Sequence, residues 1–350
     1  MVIPSSQSLT GALQPPTSAL VTGATGMLGR HLVELLLQQG VTVRAFARPG
    51  SDVSHLRAAG VDLVYGNAGD VEAIRRAVEG TDILFHFAAY LTVSAPFGAA
   101  GDSPLYQSVN VDFTEHLLSA ARESGLSRFI FASSNSVYAL DAPVPTPEDA
   151  PLQPLSAYGR SKVAAEAHVR DYQQRGLATT IVRPCVIYGP GDRYFIPTAL
   201  SLARLPLLPL VNGGETLFDM VYARDVASLL WRAACSAQAI GRIYNAGPGQ
   251  PTTLRQLVEA YRRLTARGPK IVSIAPAAAR RFGVFGRPLV SRLAPGAEAA
   301  LTPEGLALMA HDMHLDMSRA AQDLDYRPQT SLEEGLRRTL LEAAPQLLNS

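Results

Sequence analysis

The chain has only two cysteines, Cys185 and Cys235, among 350 residues. Neither falls at a metal-ligand spacing, and no metal-binding set is expected. Two lone thiols provide no disulfide framework, which fits reduced cysteines and a cytoplasmic protein. No run of about 18 apolar residues occurs, so no membrane-spanning helix is expected. The most apolar stretch, Leu200 to Val211, is broken by Arg204, Pro206 and Pro209. A clustered basic face is also lacking. The net charge is +1 and the basic residues are scattered, which argues against a nucleic-acid partner. Met1 to Thr17 lacks the basic start and apolar core of a targeting peptide and reads as a disordered tail. No internal repeat is visible. What the chain does have is apolar content, 47%, enough for one large core or two unequal lobes.

From Ser18 the apolar stretches alternate in kind. Ala19-Leu20-Val21 reads as a buried strand, and an amphipathic helix runs from Met27 to Gln39. Strands follow at Val41 to Ala47, Val61 to Tyr65, Ile83 to Phe87, Arg128 to Ala132 and Ala178 to Arg183. Helices are expected at Val71 to Val78 and Pro104 to Ser124. Strand–helix alternation with apolar strands predicts a parallel sheet covered on both faces, with ligands at its carboxyl edge. Asn67, Ala88, Ala89, Ser133, Ser134 and Pro184 all fall at that edge. His86 reads as a packed strand residue, not a catalyst.

Between the first strand and helix lies Thr22-Gly23-Ala24-Thr25-Gly26-Met27-Leu28-Gly29. Glycines there permit a tight turn and close backbone approach to a pyrophosphate, which the helix N-terminus then attracts. The second strand ends Phe46-Ala47-Arg48-Pro49, with no acid to bind both ribose hydroxyls of NAD. Arg48 would instead pair with a 2′-phosphate, so NADP(H) is expected over NAD.

Ser156-Ala157-Tyr158-Gly159-Arg160-Ser161-Lys162 opens a helical run read from Ser161 to Arg175. Tyr158 and Lys162 are four apart, on one helix face. A free phenol has a pKa of about 10, and an ammonium beside it favours the phenolate. The pair therefore suits acid–base work at a substrate oxygen.

With these motifs in order, the sequence resembles the extended short-chain dehydrogenase/reductase family, in its NAD(P)-dependent epimerase/dehydratase branch. Further phrases that carry the resemblance are His86-Phe87-Ala88-Ala89, Asn110-Val111, Phe129 to Tyr138, Val182-Arg183-Pro184, Tyr188-Gly189-Pro190, Asp225-Val226-Ala227 and Tyr244 to Gly247. The resemblance spans about Ser18 to Leu340. It implies a doubly wound Rossmann α/β sheet with a smaller, mostly helical C-terminal substrate-binding cap. It also implies that Tyr158 is the general acid/base, that Lys162 binds the nicotinamide ribose and lowers the Tyr158 pKa, and that Ser134 bonds the substrate oxygen. Asn110 would hold Lys162 or a water, or serve only structure. The cofactor would lie along Gly23, Thr25, Gly26, Met27, Leu28, Arg48, Asn67, Ala68, Ala88, Ala89, Tyr158, Lys162, Pro184 and Val186. Tyr90, Asn135, Val186, Phe195 and Phe218 would meet the substrate. A homodimer is usual for the family.

Three positions depart from the family pattern. Asn67 replaces an adenine-contacting acid. Val186 and Phe218 replace an asparagine and an arginine that grip the diphosphate of sugar nucleotides. An anionic diphosphate facing Val186 and Phe218 would be poorly compensated. The expected function is therefore NADP(H)-dependent interconversion of a ketone and a secondary alcohol on a largely apolar small molecule, as in dihydroflavonol reductases and 3-beta-hydroxysteroid dehydrogenases. The alternatives are a sugar-nucleotide epimerase or dehydratase using the same trio, and a non-catalytic NADP-binding sensor or scaffold.

Residues 18–190 and 216–247 are read as the dinucleotide-binding domain, and residues 191–215 and 248–350 as the cap. Gly189 to Gly214 reads as a proline- and leucine-rich insertion without a sheet unit, with a helix at Phe195 to Arg204. Ala223 to Ser236 is a further helix and Arg242 to Asn245 a strand. Later helix starts are marked by Thr253-x-x-Gln256, Thr302-Pro303 and Ser331-x-x-Glu334. The basic and aromatic stretch Arg280 to Arg287 is read as a substrate lid, with a membrane-touching loop or an oligomer contact as alternatives.

Overall fold

The computed structural model describes residues 14–91, 103–279, 290, 292–293 and 303–348. Most of the expected tail, the Arg280 to Arg287 stretch and Thr302 lie outside the described residues. Strands β1 (Ser18–Thr22), β2 (Thr42–Ala47), β3 (Asp62–Tyr65), β4 (Ile83–His86), β5 (Arg128–Ala132) and β6 (Thr179–Pro184) alternate with helices α1 (Met27–Gln38), α2 (Ser54–Ala58), α3 (Val71–Val78), α4 (Phe113–Glu123) and α5 (Ala157–Gln174). After β6 come β7 (Val186–Tyr188), α6 (Phe195–Leu202), β8 (Leu207–Val211), β9 (Met220–Tyr222), α7 (Ala223–Cys235) and β10 (Ile243–Ala246). The chain ends with α8 (Leu254–Thr265), β11 (Lys270–Ile274), α9 (Pro303–Ala310), α10 (Ser318–Leu324) and α11 (Leu332–Ala343).

Seven strands form one parallel sheet in the order β10-β6-β5-β4-β1-β2-β3. The fold is thus a doubly wound Rossmann sheet. The reversal between β1 and β4 is the topological switch point where such folds bind ligands. Alternate residues of β1 feed opposite layers. Ala19 and Val21 pack with Leu32 and Leu36 of α1 and Leu229 and Leu230 of α7. Leu20 packs with Ile74 of α3, Leu117 of α4 and Val169 of α5. Both faces being covered explains why these strands are apolar throughout and do not alternate.

A third apolar cluster makes the smaller lobe. Phe195, Ile196, Phe218, Met220, Leu257, Ala260, Leu336 and Leu340 gather α6, β9, α8 and α11. Its helix starts are as the sequence indicates: Thr253 and Gln256 form a reciprocal capping box, and the Ser331 hydroxyl accepts from Glu334 N. This lobe also holds two small parallel sheets, β7–β9 and β8–β11. The stretch read as an insertion without a sheet unit therefore does contribute a strand, β8. Pro209 sits within it opposite Val272. A two-stranded ribbon has a free edge on each strand, where a proline is tolerated.

Two further differences bear on the site. The helix expected over Pro104 to Ser124 carries a π-helical stretch, Tyr106–Asp112, before α4. Helix α5 begins at Ala157, four residues ahead of the reading, because the Ser156 hydroxyl accepts from Gly159 N at 3.0 Å and caps it. Among the described residues no helix is long and apolar enough to cross a membrane.

Candidate active site

The β1–α1 turn is built by its glycines. Gly23 has φ +75, and a side chain on it would meet the Ala88 backbone nitrogen at 2.7 Å. A side chain on Gly29 would collide with the Gly23 carbonyl, so only glycine lets α1 sit this close to the turn. Gly26 is the N-cap of α1, exposed and without a side-chain cap. The first-turn N–H groups therefore stay available to an anion, and the bare Gly26 leaves the approach open. Thr25, Met27 and Leu28 are half-buried beside it. These features fit a dinucleotide pyrophosphate.

The other expected cofactor residues lie at the carboxyl ends of neighbouring strands. Arg48 is exposed just past β2, with no ion pair among the described residues. Asn67 is exposed and Ala68 half-buried past β3. Past β4, Ala88 N donates to Thr22 Oγ1 at 3.3 Å, Ala89 is exposed and Tyr90 half-buried. Pro184 ends β6, and Val186 lies two residues beyond, packed against the smaller lobe's apolar cluster.

Ser134 and Tyr158 meet where β5 and α5 face each other. Ser134 caps the short 3-10 turn Asn135–Val137, accepting from Ser136 N at 3.1 Å and donating to Ser136 Oγ at 3.1 Å. That turn lies against the first turn of α5, because a side chain on Gly159 would collide with the Ser136 carbonyl. Gly159 is thus what lets Tyr158 come beside Ser134. Burial pushes the Tyr158 phenol up to about 12, against a downward pull from the Ser134 hydroxyl in hydrogen-bonding reach. Lys162 is 2% exposed, and its ammonium donates to the Ala132 carbonyl at 2.8 Å. It lies 4.7 Å from the Phe131 ring centroid and 5.9 Å from that of Tyr158. Burial brings Lys162 down to about 8, against the raising charge of Glu166. The phenol is therefore raised by desolvation, where the sequence reading expects Lys162 to lower it.

Sequence reasoning missed the network behind this trio. Glu166 is fully buried, one turn beyond Lys162. It accepts from Ser133 Oγ at 2.5 Å and from Arg183 Nε and Nη2 at 2.8 and 2.6 Å. Arg183 is itself 1% exposed, and its Nη1 donates to Tyr138 Oη and the Glu148 carbonyl. Burial disfavours the Arg183 charge, but Glu166 holds its pKa above the ordinary range. The spacing 158, 162, 166 repeats every four residues and was the available signal. Asn110 does not reach Lys162. Its Oδ1 accepts from Tyr90 N at 2.6 Å, and its Nδ2 donates to the Tyr90 carbonyl at 3.1 Å and Ser161 Oγ at 2.9 Å. His86 is buried between Thr22 Oγ1 and Thr114 Oγ1, at 2.7 and 2.9 Å, as a packed residue would be.

Two expected substrate residues lie elsewhere. Phe195 and Phe218 stack on each other in the smaller lobe, centroids 6.0 Å apart. Both line an apolar cavity of about 100 Å³ together with Leu208, Leu257, Tyr261 and Leu336. Asn135, half-buried, and Tyr90 stay at the sheet edge.

Residues 19–247 match the NAD dependent epimerase/dehydratase family. The chain is 32% identical over 340 residues to a 2-alkyl-3-oxoalkanoate reductase of Stenotrophomonas maltophilia, covering 93% of this chain and 99% of the relative. It is 28% identical to a 4-hydroxy-2-methyl-3-oxo-4-farnesyl-3,4-dihydroquinoline-1-oxide ketoreductase of Stigmatella aurantiaca, covering 90% and 93% of the two chains. Among solved structures, MoeE5 in complex with UDP-glucose and NAD superposes with a TM-score of 0.71 at 25% identity, over 94% of this chain and 99% of that one.

Proposed function

The chain belongs to the NAD dependent epimerase/dehydratase family and is an NAD(P)-dependent oxidoreductase, and from that premise we propose that it interconverts a ketone and a secondary alcohol on a largely apolar small molecule. The substrates we have in view are 3-oxo compounds with an alkyl arm, as the names of its reductase relatives suggest. The observation that carries this reading is the meeting of Ser134 and Tyr158 above a buried Lys162.

The cofactor, when bound, supplies or accepts the hydride. The chain's own residues manage the oxygen. Ser134 donates to the carbonyl oxygen as charge develops there. Tyr158 hands its proton to that oxygen, and the nearby Lys162 ammonium offsets the phenolate left behind. A raised phenol pKa keeps Tyr158 protonated at neutral pH, ready to act as the acid in reduction. The Gly23 to Leu28 turn would hold the pyrophosphate, and Asn67, Ala68, Ala88, Ala89, Pro184 and Val186 the rest of the dinucleotide. Exposed Arg48 supports NADP(H) over NAD. We assign the dinucleotide to residues 18–190 and 216–247 and the substrate cap to residues 191–215 and 248–350, although Leu315, Ala320, Leu324 and Tyr326 of that last stretch pack into the core of the large sheet. The cap cavity behind Phe195 and Phe218 is of a size that accepts a small hydrocarbon.

The experiment is a panel of alkyl ketones and 3-oxo esters, read by NADPH absorbance and repeated with NADH. Oxidation of NADPH with apolar ketones, and weaker use of NADH, is expected. Tight cofactor binding with no turnover across the panel would instead leave a cofactor-binding protein without this chemistry. A second reading, sugar-nucleotide epimerisation, draws on the likeness to MoeE5. Phe218, buried and stacked on Phe195, speaks against it, since it offers no charge to a diphosphate. Micromolar binding of UDP would revive it.

A further inference from the structure

Tyr106 opens the π-helical stretch and is 5% exposed. Its ring packs edge-on against Tyr90, centroids 5.1 Å apart. Its hydroxyl is buried and has no hydrogen-bond partner among the described residues. Buried hydroxyls are nearly always paired, so an orphan of this kind needs an explanation. The surroundings supply one. Tyr90 stands on the loop leaving β4 at the cofactor edge. Tyr158 is near enough that a charge on Tyr106 would raise its pKa. Four residues on, Asn110 binds both Ser161 of α5 and the Tyr90 backbone, so the segment carrying Tyr106 is fastened to the catalytic helix. π-helical turns within helices are frequent at functional sites.

We propose that the Tyr106 hydroxyl is a second hydrogen-bond donor for the substrate, serving an oxygen other than the one that Ser134 and Tyr158 serve. This rests on the ketone reading above and sharpens it. The substrate class becomes a ketone bearing another oxygen function, such as an ester or carboxylate, near the reacting carbon. A phenol suits that task. It is a neutral donor with a rigid ring, and packing against Tyr90 already fixes its direction. A ligand lacking the second oxygen would leave the buried hydroxyl unpaired, which is how a buried donor discriminates.

The test compares methyl 3-oxodecanoate with 2-nonanone, which share the ketone and the alkyl chain and differ in the ester group. Binding of each is measured to wild type and Tyr106→Phe, both saturated with NADP⁺ so that no reduction occurs. Wild type should hold the ester about tenfold more tightly than the plain ketone. Tyr106→Phe should erase that preference while binding 2-nonanone and NADP⁺ as wild type does. A merely structural tyrosine would alter both ligands together. The assignment is overturned if the preference survives in Tyr106→Phe, if wild type has no preference, or if wild type fails to bind the ester. Because binding is read without turnover, an ester preference in a protein that never oxidises NADPH would sink the ketone reductase and leave the Tyr106 site standing. Turnover without the preference would do the reverse.

Discussion

The carboxyl edge of the sheet and the smaller lobe are stabilised in opposite ways. At the edge, nearly every functional group is fixed by a polar neighbour: Ser134 by Ser136, Lys162 by the Ala132 carbonyl, Glu166 by Ser133 and Arg183. In the smaller lobe, Phe195 and Phe218 are held by stacking and by the surrounding leucines. Directional bonds fix atoms to a fraction of an ångström, as proton transfer requires. Apolar contact fixes volume, and tolerates swaps that conserve it. On the proposed reading, the reaction is specified at the edge, and the substrate's shape in the lobe.

If that division is right, changes at the edge should alter rate or stability, and changes in the lobe should alter apparent affinity. The largest effect is expected for Tyr158→Phe. Its kcat should fall by about 10²–10⁴-fold with NADPH binding retained, and stopped-flow reduction together with cofactor titration would show it; unchanged turnover would remove Tyr158 as the acid. Next is Arg183→Met, which strands the fully buried Glu166. Breaking such a pair costs about 3–5 kcal/mol, measurable by denaturant unfolding, and a loss below about 1 kcal/mol would mean that the network is not holding the edge. Smaller is Phe218→Leu, for which KM for an alkyl ketone should rise about fivefold with kcat preserved. An equal fall in kcat would blur the distinction between the two regions. Smallest is the pH response. Lys162, brought down to about 8 by burial, is charged below that pH and neutral above it. Ketone reduction should therefore decline as pH rises through about 8. Glu166→Gln removes the charge that raises Lys162 and should move this limb to lower pH. A rate profile flat from pH 7 to about 9.5 would contradict the role of the ammonium.

Much of the edge was legible because its signals are local. The glycines of the first turn, the apolar strands and the Tyr158–Lys162 spacing each sit within one turn or strand. The start of α5 was misplaced because Ser156 caps it and Gly159 rests on the Ser136 carbonyl, a contact visible only once β5 and α5 are adjacent. Glu166 and Arg183 are 17 residues apart and meet only when α5 packs behind β6. Tyr106 gave no signal, since a π-helical stretch presents different residues to α5 than the regular period would. In the smaller lobe, β8 and β11 pair across the whole of β10 and α8, and Pro209 disguises β8 as a loop.

That last pairing sets an order of assembly. All seven strands of the large sheet have been synthesised before β11 is made, so β8 waits without its partner, and Leu315, Ala320, Leu324 and Tyr326, which complete the core beneath the large sheet, come later still. Parallel pairing between distant segments is slow to form. The core of the large sheet and the β8–β11 ribbon are thus both completed only by the last quarter of the chain, and a nascent or truncated form ending ahead of Lys270 would lack part of each.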